Sequence, residues 1–324
     1  MMRQSAVFLT VWLFSAAIIL GGAAAQIRRH SHGTAFTAAL ITSFALQLAL
    51  YWMPGFPALR SVIGRLKRWN RPLAIGAALL FPYLVYGAGT GALSPLPALK
   101  LVLLTVIVLG TYVLFPAQKQ SLTWQDTTVM VAIATPVYLV WYQDVWPAPI
   151  YLDPMMRLFI VSLAAFAVLS LRPLGGVGYE WRLEAGDWLE GIKQLILFSA
   201  VGIPLGFAMR FIAWHPRQIG IRTIAASYAG IFLFIAVAEE LFFRGILQNL
   251  LETSMTSKYK ARAVASAIFG LSHIHHGFPN WRYVIMAAIA GWFYGTAWHS
   301  RRNIIPACVV HAAVDTLWRH FLTA

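Results

Sequence analysis

Two adjacent carboxylates and an arginine lie inside an otherwise apolar stretch that runs from about Ile224 to Leu251. An ionised side chain near the centre of a bilayer costs about 2.5–3.5 kcal/mol, so three such residues together need a physical reason. Glu240 and Arg244 are four residues apart, which predicts that they share a helix face and form an ion pair. Glu239 points about 100° away from Glu240 and has no local partner in the sequence. Two interpretations remain open, a buried ion network that holds helices together and a reactive site with Glu239 as its free carboxylate.

Two later apolar segments carry further ionisable residues. The sequence Phe269-Gly-Leu-Ser-His273 ends one segment, and His311-Ala-Ala-Val-Asp315 lies in the last, with its two polar residues on one helix face. Ionisable residues within a membrane normally face the interior of a bundle or a wet cavity. If the three faces meet, the cavity contains Glu239, His273, His311 and Asp315. A free carboxylate with two imidazoles can activate water, one group taking the proton while others stabilise an oxyanion or bind a metal.

The composition indicates which elements must position these residues. Of the 324 residues, 59% are hydrophobic and only 11% are charged, whereas a soluble domain has about 25% charged residues. We therefore predict an all-α, polytopic transmembrane helical bundle. The net charge of +14 comes from basic loops, of which the loop 60–71 is the densest and is expected in the cytoplasm. The basic residues form no stripe or motif of a nucleic-acid-binding protein, so we expect no nucleic-acid partner.

The apolar segments predict about eleven membrane spans in two domains. Residues 1–172 contain about six spans with no charged residue in their middle, which is typical of a membrane scaffold. A linker at Arg172–Asp187, expected to face solvent, separates them from a second domain at 187–322 that contains the ionisable residues. The predicted spans are Ser5–Ala25, Thr34–Met53, Leu73–Gly91, Leu99–Phe115, Thr128–Tyr142, Met155–Leu171, Trp188–Trp214, Ile224–Leu251, Ala261–His273, Tyr283–Trp298 and Ile304–Phe321.

The three motifs, in this order and each in a hydrophobic segment, resemble the CPBP intramembrane proteases. This family includes the type II CAAX prenyl endopeptidase and bacterial Abi, bacteriocin-immunity-like proteins, and the resemblance covers about Asp187 to Phe321. It implies a CAAX-protease-like helical core in which Glu239 is the general base, assisted by His273. His311 and Asp315 would then bind the oxyanion or complete the site.

The resemblance leaves the metal question open, because the family has been described both as zinc-dependent and as a metal-independent glutamate protease. No cofactor is certain, and for zinc the candidate ligands are Glu239, His273, His311 and Asp315. The eukaryotic CAAX enzymes have asparagine at the last motif position. Here the residue is Asp315, and an ionised carboxylate cannot donate a hydrogen bond to an oxyanion. This difference argues against a simple oxyanion role and favours a metal or a protonated Asp315.

The resulting functional expectation is an endopeptidase that cleaves a peptide or protein substrate at a lipid bilayer. The expected setting is a bacterial inner membrane, where the chain is an integral, multi-pass protein of undetermined oligomeric state. A transporter that uses the buried residues as a proton or ion relay, and a non-catalytic immunity or binding protein, are the alternatives. We expect His275 and His276 to be interfacial or loop residues, and Cys308, the only cysteine, to be a small buried residue.

Overall fold

The computed structural model describes residues 2–29, 33–146, 153–181, 184–277 and 280–323. These residues are almost entirely helical, as the composition predicts. One short antiparallel pair, β1 (Ala213–Trp214) with β2 (Leu322–Thr323), is the exception among the described residues. The chain forms two compact units, which are described separately. The first comprises Met1–Lys119 and Thr123–Gly175, and the second comprises Gln120–Leu122 and Gly176–Ala324.

The first unit consists of long apolar helices joined by short turns. Proline occupies a first-turn position in α3 and in α5, where its missing N–H removes no helical hydrogen bond. The last helix of the unit continues into a π-helical segment at Ala167–Leu171. The helices are α1 (Met2–Arg29), α2 (Thr34–Trp52), α3 (Pro57–Gly64), α4 (Asn70–Thr90), α5 (Pro95–Leu114), α6 (Trp124–Tyr138) and α7 (Asp153–Phe166).

The second unit is built around its last helix, which packs against α8, α9 and α13, while α12 packs along α13. Helices α9 to α11 form one continuous helix, because π-helical segments at Phe232–Ala236 and Leu241–Gln248 join them. The helices are α8 (Ala185–Ala208), α9 (Ile221–Ile231), α10 (Val237–Glu240), α11 (Asn249–Ser254), α12 (Lys258–Leu271), α13 (Trp281–Arg301) and α14 (Ile304–Phe321).

Glycines allow two of these helix pairs to approach closely. A Cβ atom at Gly270 of α12 would lie 2.5 Å from the Val284 carbonyl oxygen of α13. A Cβ atom at Gly191 of α8 would lie 2.7 Å from the Val309 side chain of α14. Any larger residue at these positions would push the helices apart. The two contacts therefore fix how closely α13 approaches α12 and how closely α8 approaches α14.

Five described helical segments are long and apolar enough to cross a membrane, which indicates an integral membrane protein. The predicted number of about eleven spans is not confirmed. Helix α12 has 14 residues and is about 21 Å long, whereas the hydrocarbon core is about 30 Å thick. Helices α13 and α14 are longer but carry several ionisable residues. The five segments are Thr34–Gly55, Asn70–Thr90, Pro95–Leu114, Ala185–Ala208 and Ile221–Ser254.

Part of the stretch Arg172–Asp187 is buried, although the sequence predicted a linker that faces solvent. Tyr179 and Asp187 are buried, as is Arg172 at the start of the stretch. Asp187 forms an ion pair with Arg301 at 3.0 Å and accepts a hydrogen bond from Asn303 at 3.2 Å. Glycines and charges suggested a linker, but tertiary partners satisfy the charges and the aromatic side chains pack inside the protein.

The first unit contains a buried ion pair that the sequence did not predict. The Arg172 Nε atom donates to Asp126 Oδ1 at 2.9 Å, and neither side chain is exposed. The Tyr112 hydroxyl donates to the same oxygen at 2.8 Å, and the Thr123 hydroxyl donates to Oδ2 at 2.8 Å. Asp126 also accepts a hydrogen bond from the Thr123 backbone N–H, which caps α6. This carboxylate therefore ties α5, α6 and the end of the unit together.

Replacing Arg172 with methionine should lower the free energy of unfolding by about 3–5 kcal/mol, because the Asp126 carboxylate stays buried without its cation. Thermal denaturation of the purified protein in detergent measures the loss. The double variant Arg172→Met with Asp126→Asn removes both charges and should recover much of it. A double variant as unstable as the single one would contradict an electrostatic origin.

Candidate active site

Glu239 and Glu240 lie in a single α-helical turn between two π-helical segments. The turn is α10, with π-helical residues 232–236 before it and 241–248 after it. A π-helix forms i→i+5 hydrogen bonds and inserts an extra residue into the turn, and such segments occur frequently at functional sites. The widened turns change the direction in which the neighbouring side chains project. The hydrophobic pattern of the sequence gave no sign of them.

One imidazole lies among three carboxylates. His311 is buried, and its Nδ1 atom lies 2.8 Å from Glu240 Oε1, a hydrogen-bond distance. On the other side of the ring, Nε2 lies 3.6 Å from Asp315 Oδ2 and 3.9 Å from Glu239 Oε2. These two contacts are longer than hydrogen bonds and act through charge. A carboxylate on Nδ1 fixes the tautomer and orientation of the ring and leaves Nε2 facing the other two carboxylates.

Glu240 also balances the charge of Arg244. Its Oε2 atom lies 3.0 Å from Arg244 Nε, and both side chains are fully buried. The pair is an electrostatic contact rather than a hydrogen bond, since none of the three guanidinium nitrogens has a hydrogen-bond partner among the described residues. The guanidinium instead packs over aromatic rings, 4.7 Å from the centre of Phe269 and 5.7 Å from that of Tyr294. Cation–π contacts of this kind are strongest where water is excluded.

His273 follows the end of α12, and a backbone carbonyl holds its ring. The Nδ1 atom lies 2.8 Å from the Phe269 carbonyl oxygen, so Nδ1 carries a hydrogen and the neutral ring has its lone pair on Nε2. The Ser272 hydroxyl lies 3.1 Å from the same nitrogen. The buried Phe269 ring lies between the two histidines, with its centre 4.8 Å from that of His273 and 5.9 Å from that of His311. Phe269 therefore connects the second and third motifs.

The four carboxylate and imidazole groups differ in their access to the surroundings. The side chains of Glu239 and Asp315 are 31% and 40% exposed, whereas those of Glu240 and His311 are almost completely buried. The Oε2 atom of Glu239 has no hydrogen-bond partner among the described residues. The unpartnered Oε2 atom is itself buried, so the exposed part of the Glu239 side chain lies elsewhere, while the adjacent Glu240 is committed to two partners. A group that accepts a proton from water must be reachable by water, and of the two glutamates only Glu239 has an exposed side chain.

The described donor atoms do not form a ready-made zinc site. A catalytic zinc needs three protein ligands at about 2.0–2.3 Å. No three His, Cys, Asp or Glu side chains in the described part of the chain are placed to hold a metal ion. The Nδ1 atoms of His273 and His311 are occupied by other partners, which leaves their Nε2 atoms as possible ligands. Zinc therefore stays one of the two alternatives that the sequence leaves open.

The remaining candidate residues lie outside this group of contacts. Cys308 is fully buried. His275 and His276 lie in an exposed turn, where their rings stack with centres 4.7 Å apart, and the His276 ring stacks on that of His273 at 5.8 Å. Partial shielding of the ring from water lowers the pKa of His276 below its ordinary value, and the two neighbouring imidazoles lower it further. His276 therefore places a neutral ring beside His273.

Two tyrosines of α13 adjoin the histidines and were missed by the sequence analysis. Tyr294 stacks on His311, with ring centres 4.8 Å apart and an angle of 15° between the planes. Tyr283 makes an edge contact with His273 at 5.1 Å. The two tyrosines are eleven residues apart, about three helical turns, so they share one face of α13. That spacing was a usable sequence signal, although many buried helices place aromatic residues at such intervals.

The buried pair predicts how substitutions will affect the amount of protein. Replacing Glu240 with glutamine or Arg244 with alanine should lower the amount of folded protein in the membrane, because each leaves a buried charge unpaired at a cost of about 3–5 kcal/mol. Immunoblots of membrane fractions and thermal denaturation in detergent measure the effect. Wild-type amounts of both variants would show that this ion pair does not stabilise the fold.

A comparison with protein-family models identifies one matching segment. The model described as type II CAAX prenyl endopeptidase Rce1-like matches residues 221–317, somewhat under a third of the chain. No curated protein and no solved structure matches the chain. The matching segment contains all three motifs, from Glu239 to Asp315, and the helices α9 to α13 with most of α14. The resemblance predicted from the motifs is thus confirmed, and residues 221–317 match the Rce1-like family of type II CAAX prenyl endopeptidases.

Proposed function

We propose that this chain is an intramembrane endopeptidase that hydrolyses peptide bonds of a membrane-associated protein or peptide. The observation that carries the proposal is the arrangement around His311, where a buried carboxylate holds one ring nitrogen and two accessible carboxylates face the other. The match of residues 221–317 to a family of prenyl endopeptidases supports the same reaction class. The lipid bilayer, and a bacterial inner membrane in particular, is the proposed setting.

In the proposed reaction, Glu239 is the general base. A water oxygen attacks the carbonyl carbon of the substrate, and the proton that the water loses moves to the Glu239 carboxylate. The π-electrons of the carbonyl group move onto its oxygen and form an oxyanion. When the C=O bond forms again, the C–N bond breaks and the proton passes from Glu239 to the leaving nitrogen. The products are a carboxylic acid and an amine.

The other residues orient and stabilise the reacting groups. His273 assists Glu239 through its Nε2 lone pair, because the Phe269 carbonyl fixes the hydrogen on Nδ1. His311 and Asp315 line the opposite side of the reacting carbonyl, and Glu240 positions the His311 ring. Glu240 thus acts on the reaction only through His311, which distinguishes its role from that of Glu239.

A relay of protons or ions through a transporter receives less support. A relay needs ionisable groups distributed along a path, whereas Glu239, Glu240 and Asp315 converge on His311. In the first unit, Asp126 is a fully buried carboxylate already bound to Arg172. An endopeptidase accounts for both the compact arrangement and the accessibility of Glu239.

Glu239→Gln should abolish peptide cleavage while the protein still accumulates in the membrane, because the amide cannot accept the proton and leaves no buried charge unpaired. An internally quenched peptide ending in a CAAX motif, used with and without a prenyl group, measures cleavage by the purified protein. The matched control is Glu190→Gln, which removes a carboxylate paired with the exposed Lys193 and should keep wild-type activity. Full activity of Glu239→Gln would contradict the assignment of the base.

The metal-free form of the mechanism makes a separate prediction. Protein washed with a chelator should retain activity and contain no stoichiometric zinc, because Glu239 and His273 activate water without a Lewis acid in this proposal. Elemental analysis of the active, washed protein, paired with the cleavage assay, measures both quantities. One zinc ion per chain that is lost together with activity, and restores activity on re-addition, would contradict the metal-free form.

A further inference from the structure

The two side chains that face Nε2 of His311 are both carboxylates, which accept hydrogen bonds. Glu239 and Asp315 present carboxylate oxygens, and the neutral His273 ring presents the lone pair of Nε2. His311 donates through Nδ1 to Glu240, so its Nε2 atom becomes a donor only when the ring carries a second proton. Amide hydrolysis passes through an oxyanion, which is stabilised by hydrogen-bond donors. A donor that is independent of the charge of His311 must therefore come from another residue.

The phenol of Tyr283 lies in the right surroundings to provide that donor. Its ring lies 5.1 Å from the His273 ring and 5.3 Å from the ring of Trp318, which follows Asp315 by three residues on α14. Asp315 and Glu239 both act electrostatically on the phenol, so Tyr283 lies within range of the first and third motifs and contacts His273 of the second. The residue thus borders the catalytic groups of three different helices.

The hydroxyl group of Tyr283 is uncommitted. It forms no hydrogen bond with any described residue, and the side chain is only partly buried. Most polar side-chain groups that are largely buried have a hydrogen-bond partner, so a free hydroxyl at this position is unusual. The position of the ring is fixed, because Phe211, His273, His276 and Trp318 all contact it. A rigidly held ring with a free O–H group is suited to donating to a charge that develops during a reaction.

We propose that Tyr283 is a further catalytic residue, whose O–H group donates a hydrogen bond to the oxyanion of the tetrahedral intermediate. The inference rests on the proposed endopeptidase function and adds a residue to it. No proton is transferred in this step, since the phenol only donates a hydrogen bond while the proton of the attacking water moves to Glu239. The phenol is a neutral donor, whereas an ionised carboxylate has no hydrogen to donate.

The variant Tyr283→Phe tests this role, because it keeps the ring contacts and removes only the hydroxyl. Loss of one oxyanion donor lowers kcat by about 10²–10³-fold, and we expect such a fall with KM little changed. The assay is cleavage of the internally quenched CAAX peptide, with and without a prenyl group, by purified protein. The control is Tyr228→Phe on α9, whose ring contacts Phe232, and it should keep wild-type kcat.

A second variant separates donation from packing. In the Tyr283→Phe background, Asp315→Asn introduces an N–H donor close to His311. The double variant should have a kcat at least tenfold higher than that of Tyr283→Phe alone. Unchanged kcat in Tyr283→Phe, or a rise in KM alone, would overturn the role as an oxyanion donor. A Tyr283→Phe protein that loses activity only because less of it folds, as shown by equal kcat per folded molecule, would overturn it as well.

The two proposals fail in distinguishable ways. If the wild-type protein cleaves the peptide and Glu239→Gln abolishes cleavage, a fully active Tyr283→Phe variant overturns the tyrosine role alone. If Glu239→Gln is as active as wild type, or if the wild-type protein cleaves neither form of the peptide, the endopeptidase function fails and the role of Tyr283 fails with it.

Discussion

The arrangement of the second unit depends on one buried carboxylate with two partners. Glu240 is fully buried, and the cost of removing its charge from water is offset by Arg244 at 3.0 Å and by His311 at 2.8 Å. The arginine comes from the same continuous helix, whereas the histidine comes from α14. The carboxylate therefore stabilises the fold and orients a site residue through the same pair of oxygens. Neither task can be altered without affecting the other.

Adjacent residues of one type acquire different chemistry because a helix turns each side chain away from the next. Glu240 faces the interior, where Arg244 and His311 satisfy it, and Glu239 faces a partly exposed region, where its Oε2 atom has no described partner. Two carboxylates in contrasting environments are a usual basis for assigning different roles at a site. Here the contrast separates a fully buried carboxylate with two partners from a partly exposed one.

The sequence predicted the helical class, the ionisable residues of the site and the family resemblance, because these depend on composition and on spacing within one helix. It did not predict contacts between distant residues, such as Glu240 with His311 or Asp126 with Arg172, since pairing across helices depends on how the helices pack. The predicted number of about eleven spans stays unconfirmed, because an apolar segment packed inside a protein and one that crosses lipid have similar sequences. The π-helical segments were not predicted, since they are patterns of backbone hydrogen bonds.

Because of those π-helical segments, the geometry of the site depends on the number of residues in the helix that carries Glu239 and Glu240. Each residue added to or removed from a helix rotates everything beyond it by about 100° and shifts it by about 1.5 Å. Glu239 and Glu240 lie between two widened turns of the helix Ile221–Ser254. The direction of their side chains relative to each end of this helix therefore depends on the number of residues in between. This helix should therefore tolerate many exchanges of apolar side chains while tolerating no insertion or deletion near the two carboxylates.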